Sequence, residues 1–192
     1  MKRVVDVALS SVALIVLAPI MLVIAIAVLV DSGLPILFRQ DRVGFQFRIF
    51  RIVKFRTMYV QNGGSLVTIS GDKRVTRVGR LLRTAKLDEI PQFWNVLCGD
   101  MSLVGPRPEV PQYVALFRDR YTEILSVRPG ITDLASIEFR NEEAILQDCN
   151  DPLRAYEEQI LPAKLDLAEK YIRTRSVLGD LLILFHTAMR LI

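Results

Sequence analysis

Metal-binding and redox residues are scarce in this chain, which has two cysteines, Cys98 and Cys149, and one histidine, His186, in 192 residues. The cysteines are too far apart for a paired metal motif and too few for a disulfide framework, which argues against a zinc module and a disulfide-stapled fold. Both are read as reduced thiols, which points to the cytosol. His186 lies in an apolar C-terminal run and is read as packed or interfacial. No Gly-Lys-Ser/Thr sequence follows Gly63-Gly64, which argues against a nucleotide P-loop; Gln61 to Ser65 reads as a flexible loop. Internal repeats and low-complexity tails are missing, and no nucleic-acid module is legible.

What is abundant is apolar surface and, in one block, positive charge. Apolar residues make up 51% of the chain, and their excess lies near the N-terminus. From Val12 to Val30 every residue is apolar, counting Pro19, and the pattern can start at Val4. That length crosses a hydrocarbon layer of about 30 Å. The apolar core is too long for a signal peptide, and no clear small-x-small site follows it. Lys2 and Arg3 precede the segment and Arg39, Arg42, Arg48 and Arg51 follow it, so the positive-inside rule keeps both flanks in the cytosol. A re-entrant helix broken at Pro19 satisfies that rule, with Ser10 and Ser11 helping to satisfy freed carbonyls. An ordinary kinked span remains the alternative on physics alone.

The formal net charge is only +4, but residues 39–86 hold twelve Lys or Arg and two acids, whereas residues 87–192 hold eleven and seventeen. A basic block beside a membrane segment fits an anionic surface, phosphate groups or both.

Asp31 to Pro35 reads as a turn, Ile36-Leu37-Phe38 as a strand, Asp41 to Gly44 as a turn, and Phe47 to Arg56 as a second strand completing a hairpin. On it Lys54 or Arg56 is expected to face substrate phosphates. Val78 to Lys86 reads as a helix with Leu81 and Leu82 inward. A helix follows Pro91 and ends at Gly99. Pro111 to Ser126 reads as one amphipathic helix. Asp151-Pro152 caps another, Pro162 restarts the pattern, and Val177 to Ile192 lies on a membrane or packs on the body.

The chemistry centres on Leu87-Asp88-Glu89-Ile90-Pro91-Gln92. A carboxylate can attack phosphorus and form an acyl phosphate, and Asp88 follows the basic residues Arg83 and Lys86. Glu89 is placed to hold Mg²⁺, which takes one or two protein carboxylates plus phosphate oxygens. Arg107, between Pro106 and Pro108, has the short leash that suits bidentate phosphate binding. The plainer alternatives are a helix cap and a rigid turn.

Lys54-Phe55-Arg56-Thr57-Met58, Leu87 to Gln92, Asn95-Val96-Leu97, Gly99 to Pro108 and Arg128-Pro129-Gly130-Ile131-Thr132 together resemble the bacterial sugar transferase family, the monotopic polyprenyl-phosphate phosphoglycosyl transferases. The resemblance implies transfer of a phospho-sugar from a UDP-sugar to a polyprenyl phosphate such as undecaprenyl phosphate, with release of UMP, as the first step of a surface glycan. It implies Asp88 as nucleophile, Glu89 as Mg²⁺ ligand, Arg107 as phosphate contact, and Lys54, Arg83 and Arg128 as further basic contacts. It implies a re-entrant helix broken at Pro19, and an enzyme on the cytoplasmic face of the bacterial inner membrane among phospholipids. The expected fold is α+β and mostly helical, with a small hairpin and interfacial amphipathic helices. Residues 1–33 form the membrane element and residues 34–192 the catalytic domain, a minimal catalytic form. Two positions depart from the family pattern: Ala18 stands where many members have Ser, and Asp133-Leu134-Ala135 where Gly and Trp are common. The region from Asp133 to Asn141 is expected to select the sugar. Direct attack with Asp88 as base and a non-catalytic scaffold are the competing readings, and a homodimer is one option for assembly.

Overall fold

A computed structural model describes residues 2–59 and 67–191; the loop expected at Gln61 to Ser65 and the final residue of the C-terminal run lie outside them. The chain is mostly helical, with two separate two-stranded sheets.

Helix α1, Lys2–Ser32, is long and apolar enough to cross a membrane. Its helical assignment continues through Pro19, so the expected break is not marked by a helix end. One stripe with spacings of three and four, from Arg3 and Asp6 through Ser10, Ala13, Leu17, Met21 and Ile24 to Val28, turns toward the protein. The other faces are open, Val30 being 82% exposed. Both ends of α1 dock on the same body. Asp6 accepts hydrogen bonds from Ser102 Oγ at 2.8 Å and Leu103 N–H at 3.1 Å. At the other end Arg56 donates to the carbonyls of Ser32, Gly33 and Leu34 at 2.6–2.8 Å. Arg56 therefore caps the exit of α1, and of the two cations offered on this strand only Lys54 reaches the carboxylates described below.

Strands β1, Leu37–Val43, and β2, Ile49–Phe55, form the expected antiparallel hairpin, with Phe38 opposite Lys54. The turn lies three residues later than expected, between Gly44 and Arg48. Asp41 and Arg42 stay in the ladder because Asp41 pairs with Arg51 across it and Arg42 with Glu109 outside it. Gln46 and Phe47 adopt positive φ to close the turn.

Helix α2, Arg77–Thr84, starts at Thr76, whose Oγ1 accepts the N–H of Gly79 at 2.9 Å. Leu82 is buried but Leu81 is 68% exposed, which corrects the expectation that both face inward: neighbours on a helix point about 100° apart. Helix α3, Gln92–Cys98, ends at Gly99, whose φ of +90° suits a glycine cap. Strand β3, Ser102–Val104, pairs in parallel with β4, Gly130–Thr132. Contact there is so close that a Cβ on Gly130 would lie 2.1 Å from Gly105 N.

The expected helix from Pro111 to Ser126 is two, α4 (Pro111–Leu116) and α5 (Arg118–Ile124), broken at Phe117 with φ −126° and ψ 39°. Helices α6 (Leu134–Glu138) and α7 (Glu142–Gln147) follow. Asp151 caps α8, Pro152–Ala155. A π-turn at Tyr156–Ile160 leads directly into α9, Leu161–Thr174, so the helical path does not restart at Pro162. Helix α10 covers Val177–Leu191. One core gathers Tyr113, Tyr121, Tyr156 and Leu161; another joins α1 to the body through Ile24, Val28, Phe55, Leu82 and Ile90.

Candidate active site

Lys86 takes a left-handed conformation, φ +56°, which turns the chain into a tight 3₁₀ turn, Leu87–Glu89, just before α3. That turn sets Asp88 and Glu89 against the last residues of β2. Lys54 Nζ donates to Glu89 Oε1 at 2.7 Å. Arg107 grips the same carboxylate with both guanidinium nitrogens, Nη1 reaching Oε2 at 3.2 Å and Nη2 bonding Oε1.

Arg107 is aimed by its backbone. Its N–H donates to Asp133 Oδ2 at 3.0 Å, while Asp133 Oδ1 caps α6 by accepting Ser136 N–H at 2.7 Å. Gly130 N–H in turn donates to Pro106 O at 3.0 Å. The proline-flanked arginine is thus fixed to the β3–β4 pair from both sides. Asp133 was expected only as part of a sugar-selecting region; its helix-cap role was legible in the sequence as an acid before Leu134-Ala135-Ser136.

Asp88 is 7% exposed and its Oδ1 has no hydrogen-bond partner. Burial pushes its pKa up, Lys54 opposes that, and the neighbouring Glu89 adds to it. Glu89 behaves oppositely. Burial works against its charged form, but Arg107 and Lys54 outweigh burial and hold it well below the usual carboxylate range. Burial lowers the pKa of Lys54, with Glu89 opposing.

Asp88, Glu89, Lys54, Arg83 and Arg107 line one cavity of about 1030 Å³. Its walls also include Leu17 of α1 and Leu184 of α10, so two apolar helices border the same space as the carboxylates. Arg83 is turned to Glu143 on α7, with Nε 3.2 Å from Oε1. Arg128 does not line the cavity; its Nε donates to Gly99 O at 2.8 Å and its guanidinium lies near the Phe45 ring. Residues that the sequence did not mark as site candidates, Arg42, Glu109, Tyr113 and Tyr156, also line the cavity.

Among the described residues no cluster of three metal-ligating side chains occurs. A Mg²⁺ ion would therefore have the two adjacent carboxylates and would draw its remaining oxygens from phosphate and water, which is usual for this ion. The donor set fits: Asp88 Oδ1 is free, and an ionised carboxylate has about four acceptor sites, of which three donors fill part at Glu89.

A profile described as bacterial sugar transferase matches residues 1–192. The chain is 40% identical to an undecaprenyl-phosphate glucose phosphotransferase of Komagataeibacter xylinus, covering 98% of this chain and 35% of that protein. It is 38% identical to a UDP-glucose:undecaprenyl-phosphate glucose-1-phosphate transferase of Escherichia coli K12, covering 99% of this chain and 40% of that one. An N-acetylgalactosaminephosphotransferase of Aeromonas hydrophila, acting from UDP-N-acetylgalactosamine to undecaprenyl phosphate, is 45% identical over 71% of this chain and 33% of its own. The chain spans well under half the length of these relatives.

Proposed function

The chain belongs to the bacterial sugar transferase family, and on that premise we propose that it moves a sugar phosphate from a UDP-sugar to undecaprenyl phosphate. The observation that carries the reading is the free, buried Oδ1 of Asp88 beside the Lys54–Glu89–Arg107 group, in a cavity that also touches α1. The ionised Asp88 attacks the phosphorus that bears the sugar. The bond from that phosphorus to the oxygen bridging to UMP breaks, and UMP leaves with the electron pair. An oxygen of the polyprenyl phosphate then attacks the same phosphorus, and Asp88 departs as a carboxylate. Arg107 and Lys54 hold the diphosphate and offset the charge that builds on its oxygens. Glu89, with Asp88, would hold Mg²⁺, which supplies charge neutralisation when bound.

The membrane arrangement follows the same reading. With both ends of α1 tied to one body, a helix that enters and leaves on one face fits better than a straight span. Residues 1–33 are the membrane element, bent near Pro19, and residues 34–192 rest on the cytoplasmic face of the inner membrane. There α10 presents Leu178, Leu181, Leu182 and Phe185 to phospholipids.

The test is incubation of the protein with Mg²⁺ and UDP-sugars labelled in the sugar-linked phosphate, first without acceptor. Label on Asp88, and UMP release that Asp88→Asn abolishes, are expected. Label that appears only in lipid product would favour direct attack with Asp88 as base. Full function of Asp88→Asn would favour a scaffold.

A further inference from the structure

The same cavity carries a second group of polar residues that the transfer chemistry leaves unused, and these make up its polar chamber. One of them is Glu109, separated from Arg107 by one proline. Glu109 is buried with a donor on each oxygen: Oε1 accepts from Tyr156 Oη at 2.8 Å and Oε2 from Arg42 Nη1 at 3.2 Å. Arg42 also donates to Pro108 O at 3.0 Å and Gln40 Oε1 at 2.8 Å, yet its buried Nε has no partner. Tyr113 packs on Tyr156 with ring centroids 4.9 Å apart; it is 4% exposed, and its hydroxyl has no partner either. Lys164 Nζ lies 4.9 Å from the centre of the Tyr156 ring and pairs with Glu142.

Buried polar atoms without partners are costly, and each calls for a reason. Among the described residues seven carry such an atom, and five of them, Arg42, Arg56, Asp88, Tyr113 and Ser136, line this one cavity. The chamber's chemistry narrows the ligand. A second anion would meet Glu109 and Glu142. A lipid chain would leave the hydroxyl and the guanidinium N–H unpaired. A neutral ring bearing several hydroxyls matches the mix of donors, acceptors and aromatic face. Two residues of extended chain span at most roughly 7 Å, and Arg107 and Glu109 line the same cavity, so a group attached to a phosphate at Arg107 shares that space with Glu109.

We propose that this chamber binds the sugar of the donor, with Tyr113 Oη and Arg42 Nε hydrogen-bonding its hydroxyls, and so selects which UDP-sugar is used. It rests on the transfer reaction proposed above and adds the residues that choose its substrate. Selection then involves Tyr113 and Arg42 as well as the segment from Asp133 to Asn141, of which Asp133, Ser136 and Arg140 line the same cavity.

The experiment compares the full chain in lipid nanodiscs with its Tyr113→Phe variant. Donors are UDP-sugars and their singly deoxygenated analogues. Because Tyr113 Oη bonds nothing in the protein, Tyr113→Phe keeps or raises Tm. It lowers kcat/KM for the preferred donor roughly five- to tenfold, the size of one uncharged hydrogen bond. It changes nothing for the analogue that lacks the contacted hydroxyl, and the affinity for UDP alone stays the same. Equal kcat/KM on every donor overturns the proposal, as does an equal loss on all analogues. Weaker UDP binding puts the nucleotide in the chamber instead, and a lower Tm gives the hydroxyl a structural task; either also overturns it. Absence of UMP release by the unaltered protein from every UDP-sugar sinks the transfer reaction itself, and sugar selection falls with it.

Discussion

Lys54 and Arg107 donate to the same oxygen of Glu89: the Lys54 Nζ is 2.7 Å from Oε1, and Arg107 Nη2 bonds that atom as well. One carboxylate thus holds two cations side by side in a largely buried site. Glu89→Gln leaves the cations facing each other without the one carboxylate that bonds both. Breaking a buried pair in this way costs about 3–5 kcal/mol, so thermal unfolding should show a clear fall in Tm. UMP release should fall at least a hundredfold, on the order of the loss when a charge-stabilising group is removed.

Asp88 presents the opposite case. Burial raises its pKa above the ordinary carboxylate value, so the folded state binds its proton more tightly than the unfolded chain. Stability from this group is full below the unfolded-state pKa and is lost as pH rises through the folded-state pKa. Asp88→Asn removes that loss. The variant should unfold at the same or a higher temperature than the unaltered protein at neutral pH, while transfer of label is abolished. A variant that is inactive because it is unfolded would contradict the assigned role.

The acid limb of the pH–rate profile should report the ionisation of Asp88, since the proposed attack on phosphorus needs its carboxylate form. Burial moves that limb upward from the ordinary aspartate value, and Lys54 is the strongest group drawing it back down. Lys54→Met should therefore move the limb to higher pH, in addition to lowering the rate. The position of the limb in single-turnover kinetics separates this effect from lost phosphate binding.

Gly130→Ala tests how Arg107 is aimed. The added methyl would sit 2.1 Å from Gly105 N and 2.4 Å from Gly105 O, both backbone atoms that cannot swing aside. The β3–β4 pair must separate, and Pro106 and Arg107 move with it. Activity should drop more than tenfold, a typical penalty for misplacing a positioning group by about 1 Å, and Tm should fall; donor KM should rise more than acceptor KM.

The sequence made local features legible and left distant ones hidden. The hairpin, the caps at Gly99 and Asp151, and the candidacy of Asp88, Glu89 and Arg107 all rest on short-range patterns, and the fold brings those three together. Lys54 and Arg56 looked equivalent because alternate strand residues share a face. Strand β2 ends at Phe55, however, and Arg56 turns away to the carbonyls of α1. Arg128 was grouped with the phosphate contacts, but the end of α3 offers it the Gly99 carbonyl instead. Strands β3 and β4 are only three residues long and join segments far apart in the chain, so no periodicity announces them. The Arg42–Glu109–Tyr156 link likewise spans three distant segments.

The stripe that α1 lends to the body makes the membrane segment part of the folding unit. Residues Ile24 and Val28 are buried among Phe55, Leu82 and Ile90, and Asp6 accepts the Leu103 amide. Trimming the chain before Leu34 to obtain a water-soluble fragment would strip a seam from the interior and uncap Arg56. Such a fragment should aggregate, and purification of an active protein has to carry the greasy helix along, in a detergent or lipid disc that coats its outer faces without prising it from the inner one.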